Sequence, residues 1–279
     1  MGGQCPAERN VTQYLPLPCV PRRQSFRVGV TSYVYPADIL PNIEQLAGRV
    51  DDVELVLFES EATTNLPSPD VVVRLAELGR RHNLTYTVHF PTDRKLGSAD
   101  ARERADHVAQ LRRITKLLAS LPIHGYILHL EGVGPDDSAV RVHAWQRDVA
   151  AELPRLLDGS APELFCVESL SYPFEWCAPL LDQFGLSVCA DVGHVWRYGG
   201  DVPTFLHTWL PRTRVIHLHG EREGHDHLPL TDLVPGRLEG CLVAVRGFSG
   251  VVTLEVFEYT AARLSIERLA QCLVNAKAG

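Results

Sequence analysis

No stretch of about 18 consecutive apolar residues occurs in the chain, so no segment reads as a transmembrane helix. There is no CxxC pair either. The seven cysteines (Cys5, Cys19, Cys166, Cys177, Cys189, Cys241 and Cys272) are odd in number and scattered over 279 residues, which argues against a disulfide framework. Cys166 and Cys189 sit inside apolar runs, where a thiol acts as a small buried hydrophobe, and a reducing cytoplasm is the expected compartment. Basic excess is missing as well: 27 Lys and Arg face 34 Asp and Glu, a net charge of −7. A protein living on nucleic-acid phosphates shows the opposite balance, because released counterions supply most of its affinity. Neither nucleic acid nor a membrane is therefore an expected partner. The opening segment MGGQCPAERNVTQYLPLPCVPRRQ has no basic start and no apolar stretch of signal-peptide length. Its four prolines suit an irregular arm over residues 1–25, lying on the domain that occupies 26–279.

What is present is ordinary globular material, 45% hydrophobic and 22% charged. From Arg27 onward a short apolar, β-branched run alternates with an amphipathic stretch of helix length. The strand-like runs are Val28–Ser32, Val53–Glu59, Thr85–Phe90, Gly125–Glu131, Phe165–Leu170, Leu186–Asp191, Arg214–Gly220 and Val251–Phe257. Each is nearly continuous in its apolar character, as strands covered on both faces are. Helices are expected over Ser68–His82 (with Ser68 as N-cap and Pro69 in the first turn), Ala101–Ser120, Ser138–Leu153 (stopped by Pro154) and Ala261–Lys277. Thr231–Gly247 is a weaker helix because it contains Pro235 and Gly236. Strand alternating with helix implies right-handed βαβ units and a parallel sheet. Eight such units in about 250 residues fit a single-domain α/β fold, the (β/α)8 TIM barrel. The turn after the first strand, GVTSYVYP, is not the GxGxxG of an open dinucleotide-binding sheet.

The strand ends carry the ionisable residues. The second ends at Glu59, the third at His89, the fourth at His129 and Glu131, and the fifth at Glu168. The sixth, ADVGH, ends with Asp191 and His194; the seventh, VIHLHG, with His217 and His219; the eighth, TLEVFE, with Glu255 and Glu258. In a parallel barrel all these ends surround one mouth. Carboxylates crowded there would repel one another unless cations neutralised them. Mixed imidazole and carboxylate ligation suits Zn2+, Mn2+ or Fe2+ better than Mg2+ or Ca2+. Taken singly, His89 or His129 would be a hydrogen-bonded strand-end residue, and Glu59 could pair with an arginine. The conjunction over six strands is what points to metal. His217 and His219, two apart, face the same side, one as a ligand and the other as its support or a substrate contact. After the seventh strand, GEREGHDHLPL places Asp226 and His227, with His225 beside them, in a loop that reads either as a polar turn or as extra ligands.

This pattern resembles the xylose-isomerase-like barrel superfamily of class II abasic-site endonucleases, sugar isomerases and epimerases, over Arg27 to about Lys277. Its shared set matches Glu168, Asp191, His217 and Glu255. The resemblance to the phosphodiesterase branch implies that His89 and His129 hold one metal and that Glu168 bridges to a second. It also implies that His194 with Asp226 and His227 holds a third. That branch has one residue between the loop Asp and His, whereas here they are adjacent and His225 stands in the aspartate's place. Two ions are therefore expected, with a third depending on this loop. The segments GVTSYVYPADILPN, VDDVELVLFES, TVHFPTD, CVESL and LHLHGEREGHDHL resemble the cobamide-remodelling phosphodiesterases. The implied activity is hydrolysis of the nucleotide-loop phosphodiester of a corrinoid, with Glu168 and Glu255 catalytic. Glu59, His219, Arg94 and Arg222 are candidate substrate contacts, and Lys95 is a further cation on a mouth loop. The rival expectation is a single-metal sugar or hydroxy-ketone isomerase in which Glu168 and Glu255 shuttle a proton. A third is a corrinoid-binding barrel without turnover.

Overall fold

Ser68 accepts a hydrogen bond from the Val71 amide and Pro69 occupies the first helical position, so the chain turns into a helix where those residues dictate. That local logic recurs along a computed structural model that describes residues 14–22, 24–60 and 62–278, with side chains to 274. Eight parallel strands close a barrel: β1 (Arg27–Thr31), β2 (Asp52–Val56), β3 (Thr85–His89), β4 (Ile123–Leu128), β5 (Phe165–Glu168), β6 (Ser187–Asp191), β7 (Thr213–Leu218) and β10 (Val251–Leu254). Around them run α1 (Ile39–Leu46), α2 (Pro69–His82), α3 (Ala101–Leu117), α4 (Ala139–Leu157), α5 (Ala178–Phe184), α6 (Val192–Arg197), α7 (Val202–Trp209), α8 (Arg237–Ala244) and α9 (Tyr259–Ala278). This is the single TIM-barrel domain expected from the eightfold alternation. Among the described residues, no helix is long and apolar enough to cross a membrane. All six cysteines among the described residues are free.

Two details differ from the expectation. Helix α4 does not stop at Pro154 but continues through it to Leu157. A proline inside a helix costs about 3 kcal/mol. Leu153, Leu156 and Leu157 are 0%, 2% and 9% exposed, and burying each contributes roughly 1.5–3 kcal/mol, so packing outweighs the break. The Gly220–Leu228 segment is not a plain loop. Strands β8 (Gly220–Arg222) and β9 (His225–Leu228) pair antiparallel as a ribbon beside the mouth.

The core has two compartments. The large one lies between strands and helices, and a small one, Ile127, Cys166, Cys189 and Val215, fills the barrel's interior. Gly125 keeps that plug narrow, since a Cβ there would sit 3.0 Å from the Cys166 sulfur. Side chains on a strand alternate faces, so the next inward positions above the plug are His129, Glu168, Asp191 and His217. The alternation that hides the plug thus delivers the site. Of the arm, residues 1–13 and 23 lie outside the described residues. Leu17 and Val20 are buried, and the carbonyl of Leu17 accepts from the Arg49 guanidinium at 2.9 Å.

Candidate metal centre

Glu168, at the end of β5, is 1% exposed and stands at the middle of the mouth. Its Oε2 lies 3.0 Å from His129 Nε2, 3.4 Å from His89 Nε2 and 3.7 Å from His217 Nδ1. Its Oε1 lies 3.5 Å from His194 Nδ1. The two oxygens of one carboxylate therefore face different imidazoles. His89 Nδ1 bonds the Phe90 carbonyl at 3.1 Å and His129 Nδ1 meets Glu131 at 3.3 Å, which leaves both Nε2 atoms aimed inward.

The other half is deeper. His217 Nε2 contacts Glu54 Oε2 at 2.8 Å, both residues fully buried. His217 Nδ1 then faces Glu255 Oε2 at 3.0 Å, Glu168 Oε2 at 3.7 Å and Asp191 Oδ2 at 3.8 Å. Neither this Nδ1 nor Glu255 Oε2 makes a hydrogen bond, although both are buried. Orphaned buried polar atoms cost free energy that a protein normally avoids. Metal–ligand bonds of about 2.1 Å place neighbouring ligand atoms roughly 3–3.5 Å apart, and the contacts around His217 Nδ1 run from 3.0 to 3.8 Å, close to that spacing. The donor set fits a divalent cation.

Charge tells the same story. Burial would lower the pKa of His129, but Glu168 and Glu131 outweigh it and raise it to about 10. Burial would lower that of His219 too, and Asp191 overcomes it to bring the ring to about 9. His217 is pushed well up against burial by its acidic neighbours, and Glu168 and Glu255 are held down against burial by the imidazoles beside them. Without a cation the acids favour protons on His89, His129, His217 and His219. His227 goes the other way, lowered by burial.

His89, His129, Glu168, Asp191, His194, His217 and Glu255 all meet here. Side chains of His194, His219 and His227 form an adjoining imidazole group, with His227 Nδ1 3.2 Å from the Glu255 carbonyl. Other expected residues go elsewhere. Strand β2 ends at Val56, so Glu59 leaves the barrel and pairs with Arg113 and Gln110 of α3 instead of facing substrate. His219 is fully buried with Nε2 3.2 Å from Asp191 Oδ1. Asp226 is paired with Arg197, and its Oδ2 is 3.8 Å from His194 Nε2. Arg222 is exposed and 3.6 Å from Asp232; Lys95 is 3.8 Å from Glu131; His225 and Glu258 are exposed. Arg94 is half-buried and makes no ion pair among the described residues. Glu54 and Arg197 were missed. The signal for Glu54 was available in VDDVELVLF, where Asp52 and Glu54 alternate with apolar residues inside a strand otherwise expected to be apolar on both faces.

Residues 47–275 match the family described as xylose isomerase-like TIM barrel. Among solved structures the chain is similar to a D-tagatose 3-epimerase-like protein, at 22% identity and a TM-score of 0.75 over 91% of this chain and 100% of that one. It is similar to endonuclease IV from Thermus thermophilus, at 18% identity and a TM-score of 0.69 over 89% and 99%. It is similar also to an L-ribulose 3-epimerase, at 15% identity and a TM-score of 0.68 over 91% and 96%. At these identities the likeness is one of fold. No curated protein matches the sequence.

Proposed function

The chain belongs to the xylose isomerase-like TIM barrel family, and within it we propose a metal-dependent phosphodiesterase that hydrolyses the nucleotide-loop phosphodiester of a cobamide. The observation that carries this reading is the placement of Glu168, whose Oε2 faces His89 and His129 on one side and His217 Nδ1 on the other. A bridging carboxylate of that kind serves two cations. His89, His129 and Glu168 would hold one; Glu168, Asp191, His217 and Glu255 would hold the other. Held there, two divalent ions supply Lewis acidity that lowers the pKa of a water and offsets charge on phosphoryl oxygens. The chain does the rest. Glu54 holds His217 by its Nε2, Glu131 holds His129 by its Nδ1, and Ser169 holds the Nδ1 of His194 through its carbonyl at 3.1 Å. His129 Nε2 and His217 Nδ1 are thereby pointed at the centre, and His194 Nε2 at the Asp226 side.

The resemblance and the rim support the substrate class. Tyr33 and Phe58 stand 6.0 Å apart on the loops after β1 and β2. Across the mouth, Phe257 is 42% exposed beside the His227 ring, and Tyr198 is 51% exposed. Exposed aromatic faces suit a large, flat, apolar ring, and an acidic chain of net charge −7 suits a substrate not bound mainly through backbone charge. The rival single-metal epimerase draws on one feature, that Glu168 and Glu255 both face His217 Nδ1 and could trade a proton across a sugar carbon. To decide, Mn2+-, Zn2+- or Fe2+-loaded protein is incubated with a complete cobamide and the products are separated by chromatography. We expect cobinamide-type products, reduced about 10^3-fold or more, roughly 4 kcal/mol of barrel-mouth catalysis, in Glu168→Gln. Intact cobamide together with turnover of ketoses would overturn the assignment.

A further inference from the structure

Beside the bridged centre lies an outer group, and it is built differently. His194 Nδ1 is committed to the Ser169 carbonyl at 3.1 Å and to Asp191 at 3.2 Å, which frees Nε2. His227 Nδ1 is committed to the Glu255 carbonyl, which frees its Nε2. His219 frees neither nitrogen. Its Nε2 is on Asp191, and its Nδ1 lies 3.1 Å from the Gly220 carbonyl and 3.0 Å from the His227 amide. The ribbon is shaped to present His227, which adopts the left-handed conformation at φ 52° that ordinary side chains avoid. His194 Nε2 lies 3.8 Å from Asp226 Oδ2, and the rings of His194 and His227 stand 6.0 Å apart, so two imidazoles and a carboxylate stand together as a ligand set for a third ion.

The carboxylate is already taken. Arg197 closes on Asp226 Oδ2 from α6, three residues after His194 and so on the same side of that helix. A guanidinium is charged at every working pH and forms its strongest hydrogen bonds with carboxylates, so it competes with a metal for the same oxygen. Building on the two-cation centre proposed above, we infer that Arg197 is a built-in cation that takes the place of a third metal, so that the protein holds two ions and not three. Arg197 is a positioning residue in this scheme: it fixes Asp226 and neutralises it, and its side chain, 33% exposed, remains within reach of the mouth's solvent.

Metal content distinguishes this from a merely structural ion pair. Wild-type protein, Arg197→Met, Arg197→Lys, Asp226→Asn and Arg197→Met/Asp226→Asn are saturated with Zn2+, desalted and measured by elemental analysis, with circular dichroism as the folding control. The expected result is one additional ion per chain in Arg197→Met, and none added in Arg197→Lys or in the double variant. Equal metal content in wild type and Arg197→Met overturns the inference, as does a third ion in wild type that Asp226→Asn removes. The readout is independent of substrate, so an error in the cobamide assignment leaves it standing and its own failure leaves the phosphodiesterase assay untouched.

Discussion

Buried acids stand at both ends of the barrel's interior, and the two ends treat them differently. On the floor, at the N-terminal strand ends, Asp52 is fully buried. It receives the Thr85 hydroxyl at 2.6 Å and the Thr87 amide at 3.2 Å, with Arg27 close by. On the far side of the floor, His124 and Arg214 exchange hydrogen bonds through each other's carbonyls at 3.2 and 3.1 Å. Above the plug, Glu54 Oε1, His217 Nδ1 and Glu255 Oε2 are equally buried and have no hydrogen bond. The floor satisfies its acid with protein donors, as a stability-bearing end does. The mouth surrounds its acids with other acids and imidazoles, and so prepares a place for charge from outside.

The contrast can be broken by substitution. His129→Ala is expected to remove one of two ions per chain and to lower phosphodiester hydrolysis about 10^2-fold or more, read by elemental analysis and product chromatography. A metal count near one per chain, unchanged in His129→Ala together with ketose turnover, would make the single-metal epimerase the better account. Glu54→Leu, which leaves His217 without its Nε2 partner, is expected to weaken metal affinity about 10- to 100-fold, with Glu54→Gln recovering part of it; a competition titration against a chelator checks this. The pH dependence comes next. Folded pKa values of about 10 for His129 and about 9 for His219 lie above the ordinary ~6.5. In the metal-free protein their stabilisation is therefore fully present below about pH 6.5 and lost as pH rises through 9 to 10. Metal must displace the proton on His129 Nε2, so affinity should rise from about pH 6 to about pH 9 by about tenfold per unit. Calorimetry in buffers of different ionisation enthalpy measures its release, and no proton release would contradict the charge balance drawn here.

The floor should show the smallest effect on the centre. Burial raises the carboxyl of Asp52 to about 6, against the hydrogen bonds from Thr85 and Thr87. The folded pKa lies above the ordinary value, so stability from this group is fully present below about pH 3.8 and is lost as pH rises through about 6. The loss is roughly 3 kcal/mol for a shift from 3.8 to about 6. Asp52→Asn is expected to flatten that part of the pH–stability curve in denaturant titrations and to leave metal content unchanged. Metal loss in Asp52→Asn would mean that the two ends are not independent.

Much of this is legible in the sequence because period-two alternation and helix signals are local. Eight strands, Ser68 as a cap and the acids and imidazoles at the strand ends follow from residues within a few positions of each other, while the set Glu168, Asp191, His217 and Glu255 was singled out by the resemblance. Glu59 sits beyond the ladder of β2, where no alternation constrains it, and Asp226 sits in a short ribbon outside the barrel; in both cases an arginine from a helix, Arg113 or Arg197, takes the carboxylate. Glu54 was passed over because an acid inside an apolar strand looks like noise until the opposite wall supplies His217, 163 residues away.

By itself, then, the sequence determined the number of strands, the barrel they close and the types of side chain around its mouth, since these depend on periodicity and propensity along the chain. Only the tertiary structure decided which atoms remain without a partner, which histidine nitrogen faces inward, and that Arg197 reaches Asp226 first. Those outcomes depend on distances across the barrel, where burial makes each unmatched charge costly and each close contact exclusive.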